Sequence, residues 1–167
     1  KTMPAAGVRL GPPVARPRQI VCLGKNYREH AREFDARMPE FPVYFSKAPG
    51  ALCGAGDPIR LRPGMDRVDA EVELAVVIGR RARDIQEGDA LSCVAGYTVF
   101  NDVTDRDLQK ARGQWFLAKS ADSFAPLGPW LVTREEVRRP HALGIRQRVN
   151  GEVLQDSKTS RMIFRLD

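Results

Sequence analysis

Residues 71–78 read EVELAVVI, and this stretch decides the fold class. Successive side chains of a strand point to opposite faces. Alternation therefore places Glu71, Glu73, Ala75 and Val77 on one face and the wholly apolar Val72, Leu74, Val76 and Ile78 on the other. Gly79 ends the run. Working outward, AGYTVFNDV (95–103) reads as a second strand ending in polar residues, and 104–113 as a short helix or irregular segment. QIVCL (19–23), 43–46, 58–61 and 130–133 are further strand candidates. Residues 85–91 suit a helical turn. IRQRVNGEVLQ (145–155) predicts a hairpin, because Asn150-Gly151 supplies the two positive-φ residues of a type I′ turn. A helix is predicted over 26–37, where Tyr27, His30, Ala31 and Phe34 have the spacing of one helical face. The expected fold class is α+β, strand-rich, with few short helices.

No repeat or linker composition divides the chain. Residues 1–17 read as an irregular lead-in and 18–167 as one domain. At 43% hydrophobic and 29% charged residues, the composition is that of a globular protein. No stretch approaches the ~20 apolar residues of a membrane span, and residues 1–17 contain no apolar run of the kind a secretory signal requires. The 27 basic and 21 acidic residues give a net charge of +6. They are interspersed without a basic run, which disfavours nucleic acid as a partner and fits small anionic substrates loosely. Cys22, Cys53 and Cys93 lie far apart without metal-ligand spacing and read as reduced thiols of a cytoplasmic protein.

Glu71 and Glu73 share a face at the end of a very apolar strand, so each raises the other's pKa unless a cation intervenes. A divalent ion with hard oxygen ligands suits such a pair. The same spacing also suits a strand end whose acids pair with Arg60, Arg62 or Arg67. Asp102, at the end of its strand, is the natural third ligand or else a helix N-cap. His30 and Glu33, three apart on the predicted helix, form a candidate acid–base pair. On the same stripe as Tyr27 and Phe34, His30 also reads as a packing residue.

Together these segments resemble the fumarylacetoacetate hydrolase family. The resemblance is carried by GKNYREH (24–30), PVYFSKAPGAL (42–52), GDPIRL (56–61), VDAEVELAVVIGRRAR (68–83), VAGYTVFNDVTDRDLQ (94–109), AKSADSFAPLGPWLVT (118–133) and RVNGEVLQDSKTSRMIF (148–164). It implies a mixed β-sandwich or roll with its active site at one open end. It implies Mg²⁺, replaceable by Mn²⁺ or Ca²⁺, held by Glu71, Glu73 and Asp102. It implies that Lys119 partners a substrate oxygen, that Lys47 and Gln109 bind substrate, and that His30 and Glu33 form a water-activating dyad. The resemblance also implies a homodimer; together with the cysteine and charge patterns, the expectation is a cytoplasmic protein acting on a small anionic keto or enol acid and on neither nucleic acid nor membrane.

The expected activity is hydrolytic C–C cleavage of acylpyruvate-like 2,4-diketo acids to pyruvate and a carboxylic acid. An isomerase or decarboxylase of 2-hydroxy-diene-dioates or oxaloacetate is the alternative on the same site. Three departures from the family pattern bear on this. VTDRD follows Asp102 where V-S-A-R-D is usual, so Asp105 would add negative charge near the site. Lys158 and Arg161 also differ from the residues usual at their positions. The expected Gly-rich block after MIF is not reached, which leaves an incomplete domain and a catalytically impaired assembly module as a non-enzymatic alternative.

Overall fold

The computed structural model describes residues 7–28 and 39–166. The helix predicted over 26–37 falls largely outside the described residues, and so do His30 and Glu33.

Ten strands are described: β1 (Ile20–Gly24), β2 (Val43–Lys47), β3 (Leu52–Gly54), β4 (Val68–Asp69), β5 (Val72–Ile78), β6 (Val94–Asn101), β7 (Thr104–Asp105), β8 (Ala125–Thr133), β9 (Gly144–Val149) and β10 (Glu152–Lys158). Two helices are described, α1 (Arg106–Ala111) and α2 (Phe116–Lys119). The strand-rich α+β class is as expected. The central sheet has the order β3-β8-β6-β5, with β3 parallel to β8 and the other pairs antiparallel. β1 and β2 form a separate antiparallel pair, and β9 and β10 another.

The two-residue period of β5 and β6 fixes which face is buried. Glu73 lies opposite Phe100 and Ala75 opposite Thr98. Ala75 packs with Phe100, Leu127, Ala125, Ala51 and Cys22 in the main core, together with Ile20 of β1 and Phe45 of β2. The acid-bearing face of β5 is therefore the inward face, covered by the β1–β2 pair. A second cluster of Val103, Ala121 and Phe124 fills the space beyond the end of β6. Gly96 is required where β8 presses on β6, since a Cβ there would stand 2.3 Å from the Val132 carbonyl oxygen.

The hairpin forms as predicted, with Asn150 at φ 51° and Gly151 at φ 88°. The helical turn expected near 85–91 is a 3-10 turn over Glu87–Cys93. The strand expected at 58–61 does not form. Pro58 has no N–H to offer a ladder, and the Arg60 N–H is taken by Ser123 Oγ at 2.7 Å. β8 starts at Ala125 and not at Trp130. The register slips between Val99↔Gly128 and Tyr97↔Val132, which accommodates Pro129 and Trp130 within a continuous strand.

Candidate active site

Glu71 leads into β5 with its backbone clamped to the end of β6. Its N–H donates to Asn101 Oδ1 at 3.0 Å and its carbonyl accepts from Asp102 N at 2.9 Å. That pairing brings Asp102 beside the E-x-E segment across thirty-one positions of sequence. β4 and β7 pair through Asp69↔Thr104, which adds Thr104 to the same corner.

The acids meet a matching set of cations. Lys119, the last residue of α2, donates to Glu71 Oε2 at 2.8 Å, to Thr104 Oγ1 at 2.9 Å and to Asp102 Oδ2. Lys47, the last residue of β2, donates to Asp102 Oδ1 at 2.5 Å and to the Val103 carbonyl at 3.0 Å. Arg106, the first residue of α1, pairs with Glu71, with Asp69 at 2.7 Å and with Gln109 Oε1 at 2.9 Å. Asp102 and Lys47 are each 1% exposed and Lys119 is 3% exposed. Charges this deep are tolerated only when paired and hydrogen-bonded. The Lys119 ammonium also lies 4.8 Å from the centre of the Phe45 ring.

The electrostatics divide the two glutamates. Burial pushes the Glu71 carboxyl up, but the charges of Lys119 and Arg106 outweigh it and hold the group well below the usual carboxylate range. Glu73 has no hydrogen-bond partner among the described residues. Burial, then the charges of Asp102 and Glu71, push it up to about 8. Burial pulls Lys47 below its ordinary value against the opposing charge of Asp102, whereas Asp102 and Glu71 overcome burial and raise Lys119.

A native acid with a raised pKa keeps a proton that the unfolded chain releases, so stability falls as pH rises from about 4.5 towards about 8. Glu73→Gln is therefore expected to flatten this slope. In the absence of metal it should melt above the wild type at pH 8 and close to it at pH 5, as thermal denaturation across that range will report.

The sequence-predicted residues thus divide. Glu71, Glu73, Asp102 and Lys119 come together. Lys47 stands behind Asp102 and holds it, so its contacts are with the acid and the backbone. Gln109 orients Arg106. Asp105, expected to add charge to the site, caps α1 by accepting from Asp107 N at 3.1 Å and Leu108 N at 3.0 Å. The cap is thus Asp105, the alternative weighed for Asp102. Arg106 and Thr104 were missed. The spacing of Arg106 and Gln109 on one helical turn was the available signal for the first; Thr104 had none.

Glu71, Glu73 and Arg106 open onto a cavity of about 520 Å³, walled on its far side by Tyr27 and by Gln147, Leu154 and Gln155 of the β9–β10 hairpin. Among the described residues no group of His, Cys, Asp or Glu side chains is gathered tightly enough to form a ready metal cage, because Lys119 stands between Glu71 and Asp102. The donor set nevertheless suits a hard divalent cation. Two carboxylates that share one ammonium are close enough to share one ion, and the neighbouring Glu73 is an acid in want of a counter-charge.

The buried acids and bases thus gather at one corner of a strand-rich domain, where Glu71, Glu73 and Arg106 open onto the cavity. The chain belongs to the fumarylacetoacetate hydrolase family: residues 19–167 match the family model described as fumarylacetoacetate (FAA) hydrolase C-terminal. It is 48% identical over 167 residues to the oxaloacetate tautomerase FAHD2A, mitochondrial, of Bos taurus and 45% identical to its Homo sapiens counterpart. Each match covers 99% of this chain and 53% of the relative, so the chain spans about half the length of these proteins. Among solved structures it is similar to a 2-hydroxyhepta-2,4-diene-1,7-dioate isomerase from Mycobacterium marinum, at TM-score 0.87 and 42% identity over 99% of this chain and 60% of that one. A 5-carboxymethyl-2-hydroxymuconate delta-isomerase from Mycobacterium smegmatis matches at TM-score 0.86 and 42% identity, over 97% of this chain and 63% of that one. The family's members include isomerases, tautomerases and hydrolases. Among the described residues no helix is long and apolar enough to cross a membrane. The mammalian relatives' names place them in mitochondria, which lends no support to the cytoplasmic expectation.

Proposed function

We propose that this site interconverts the keto and enol forms of a small dicarboxylic 2-oxo acid of the oxaloacetate class. The observation that carries the proposal is the 48% identity, along 99% of the chain, to an oxaloacetate tautomerase. Tautomerisation needs an anchor for a carboxylate, a positive group for the enolate oxygen, and an acid–base pair for one proton. Arg106 on the pocket wall offers a planar guanidinium, oriented by Gln109, for the first. Lys119, whose three N–H groups are held by Glu71, Asp102 and Thr104, would turn its ammonium to the second once a cation takes over the two carboxylates. His30 and Glu33, outside the described residues, are proposed to carry the proton. Glu71, Glu73 and Asp102 would hold a divalent ion, Mg²⁺ with Mn²⁺ or Ca²⁺ as substitutes, which when bound supplies Lewis-acid polarisation of the oxo group.

Hydrolysis of acylpyruvates, the first expectation from sequence, requires in addition a positioned water and a broken C–C bond. It stands behind tautomerisation because relatives that cover nearly the whole chain carry tautomerase and isomerase names. A homodimer and a compartment of the mitochondrial or cytoplasmic kind belong to the same proposal.

The test follows the ultraviolet absorbance of enol-oxaloacetate in the presence of the full chain and Mg²⁺, alongside pyruvate release from an acylpyruvate. Accelerated loss of the enol without pyruvate release supports the proposal. Pyruvate release with no effect on the enol overturns it.

A further inference from the structure

Near the site, among the described residues, the edge of β5 that faces away from β6 is closed by side chains and not by a strand. In an antiparallel ladder the backbone groups of one residue point to one neighbour and those of the next residue to the opposite side. Glu71 turns its N–H and carbonyl towards Asn101 and Asp102. Ala70 and Val72 turn theirs the other way. There Gln147 Nε2 donates to the Ala70 carbonyl at 3.1 Å, and Gln155 Oε1 accepts from the Val72 N–H at 2.8 Å. Gln147 is on β9 and Gln155 on β10, and the two are direct cross-strand partners. A single rung of the hairpin thus grips the backbone on both sides of Glu71 with two amides of opposite hydrogen-bond sense.

Resting on the cation site proposed above, we infer that Gln147 and Gln155 form a paired amide clamp that positions Glu71 and Glu73 for a divalent ion. Val72 is the residue between the two acids, and Ala70 precedes the first, so the clamp sets the direction in which both carboxylates leave the strand. Groups that orient metal ligands without touching the metal commonly change its affinity by about 10- to 100-fold. The clamp also satisfies two edge groups that would otherwise need water or another strand. Both glutamines are only half-buried, so water can replace a lost bond. The clamp therefore governs position at the site more than global stability, and hairpin and ion site are coupled through it.

The opposite senses of the two bonds provide the test. Gln155→Glu keeps the acceptor that Val72 requires; Gln147→Glu destroys the donor that Ala70 requires. Both add the same charge at the same wall of the pocket, so charge alone would move them together. Mn²⁺ binding to the full chain is titrated by the electron paramagnetic resonance of free Mn²⁺. Gln147→Glu and Gln155→Met are expected to weaken it about tenfold or more, while Gln155→Glu stays close to wild type. Hydrogen exchange at the Val72 amide in the metal-free protein should be faster in Gln155→Met and unchanged in Gln155→Glu, a readout independent of the ion. Equal Mn²⁺ affinity in all three variants overturns the clamp. So does a parallel loss in both glutamate variants. Failure of the wild type itself to bind Mn²⁺ overturns the cation site, and with it the clamp's role there.

Discussion

Asp102→Asn is expected to lose nearly all turnover and to cost more stability than any other single change at the site. The carboxylate is 1% exposed and is shared by two ammonium groups that are themselves buried. Lys119 keeps Glu71 as a partner in the variant. Lys47 does not have that recourse: among the described residues Asp102 is its only carboxylate. Removing one member of a buried pair leaves the other charge uncompensated, at a cost of about 3–5 kcal/mol.

The signature of this mechanism is its pH dependence. Burial already draws Lys47 below its ordinary value, and Asp102 is the largest influence holding it up. Without Asp102 the folded-state value falls further while the unfolded value stays put. The unfolded chain then binds a proton that the native state does not, so stability rises with pH between the two values. Asp102→Asn should therefore regain part of its lost melting temperature between pH 7 and pH 10, more than the wild type gains. A deficit independent of pH over that range would show that Lys47 is not the stranded charge.

The sequence made some of this visible and hid the rest for definite reasons. β5 was legible because a two-residue period in seven apolar or acidic positions admits little else. The β9–β10 turn was legible because Asn150 and Gly151 are the residues that tolerate positive φ. That Glu71 and Asp102 meet was not legible from either strand alone. It depends on the register of β5 on β6, and a slip of one residue would send Glu73 to the opposite face. The place of Asp102 at a strand end offered it as a third ligand or a helix cap, and the family resemblance chose the first. The resemblance named Lys47, and parity could have shown that it is buried: it lies two residues after Phe45 on β2, on the face that Phe45 turns into the core. Its charge argued for solvent, and the paired Asp102 that reverses that preference lies fifty-five residues away. Arg106 was hidden in the same way, because an arginine opening a short helix usually faces water. The segment 58–61 stays irregular because Pro58 has no N–H for a ladder and Ser123 takes the Arg60 N–H.

Lys119→Met should separate catalysis from stability, since its effects fall in the reverse proportion to those of Asp102→Asn. Removing this ammonium deprives Glu71, Asp102 and Thr104 of one shared donor. Each acid nevertheless retains a cation, Arg106 for Glu71 and Lys47 for Asp102. The stability loss is therefore expected at about 1–3 kcal/mol, clearly below that of Asp102→Asn. Turnover of the enol substrate should fall by about 10²–10³, the usual effect of removing one preorganised group that steadies a developing oxyanion. Because Lys119 stands between two carboxylates proposed to hold a divalent ion, its loss also removes a competitor for those oxygens. Mn²⁺ should accordingly raise the melting temperature of Lys119→Met by more than it raises that of the wild type, as binding to the native state alone requires. A variant that keeps wild-type turnover would remove Lys119 from the chemistry. Lost turnover with a Mn²⁺ shift smaller than in the wild type would mean that the lysine helps to build the ion site, and the oxyanion role would have to pass to Arg106.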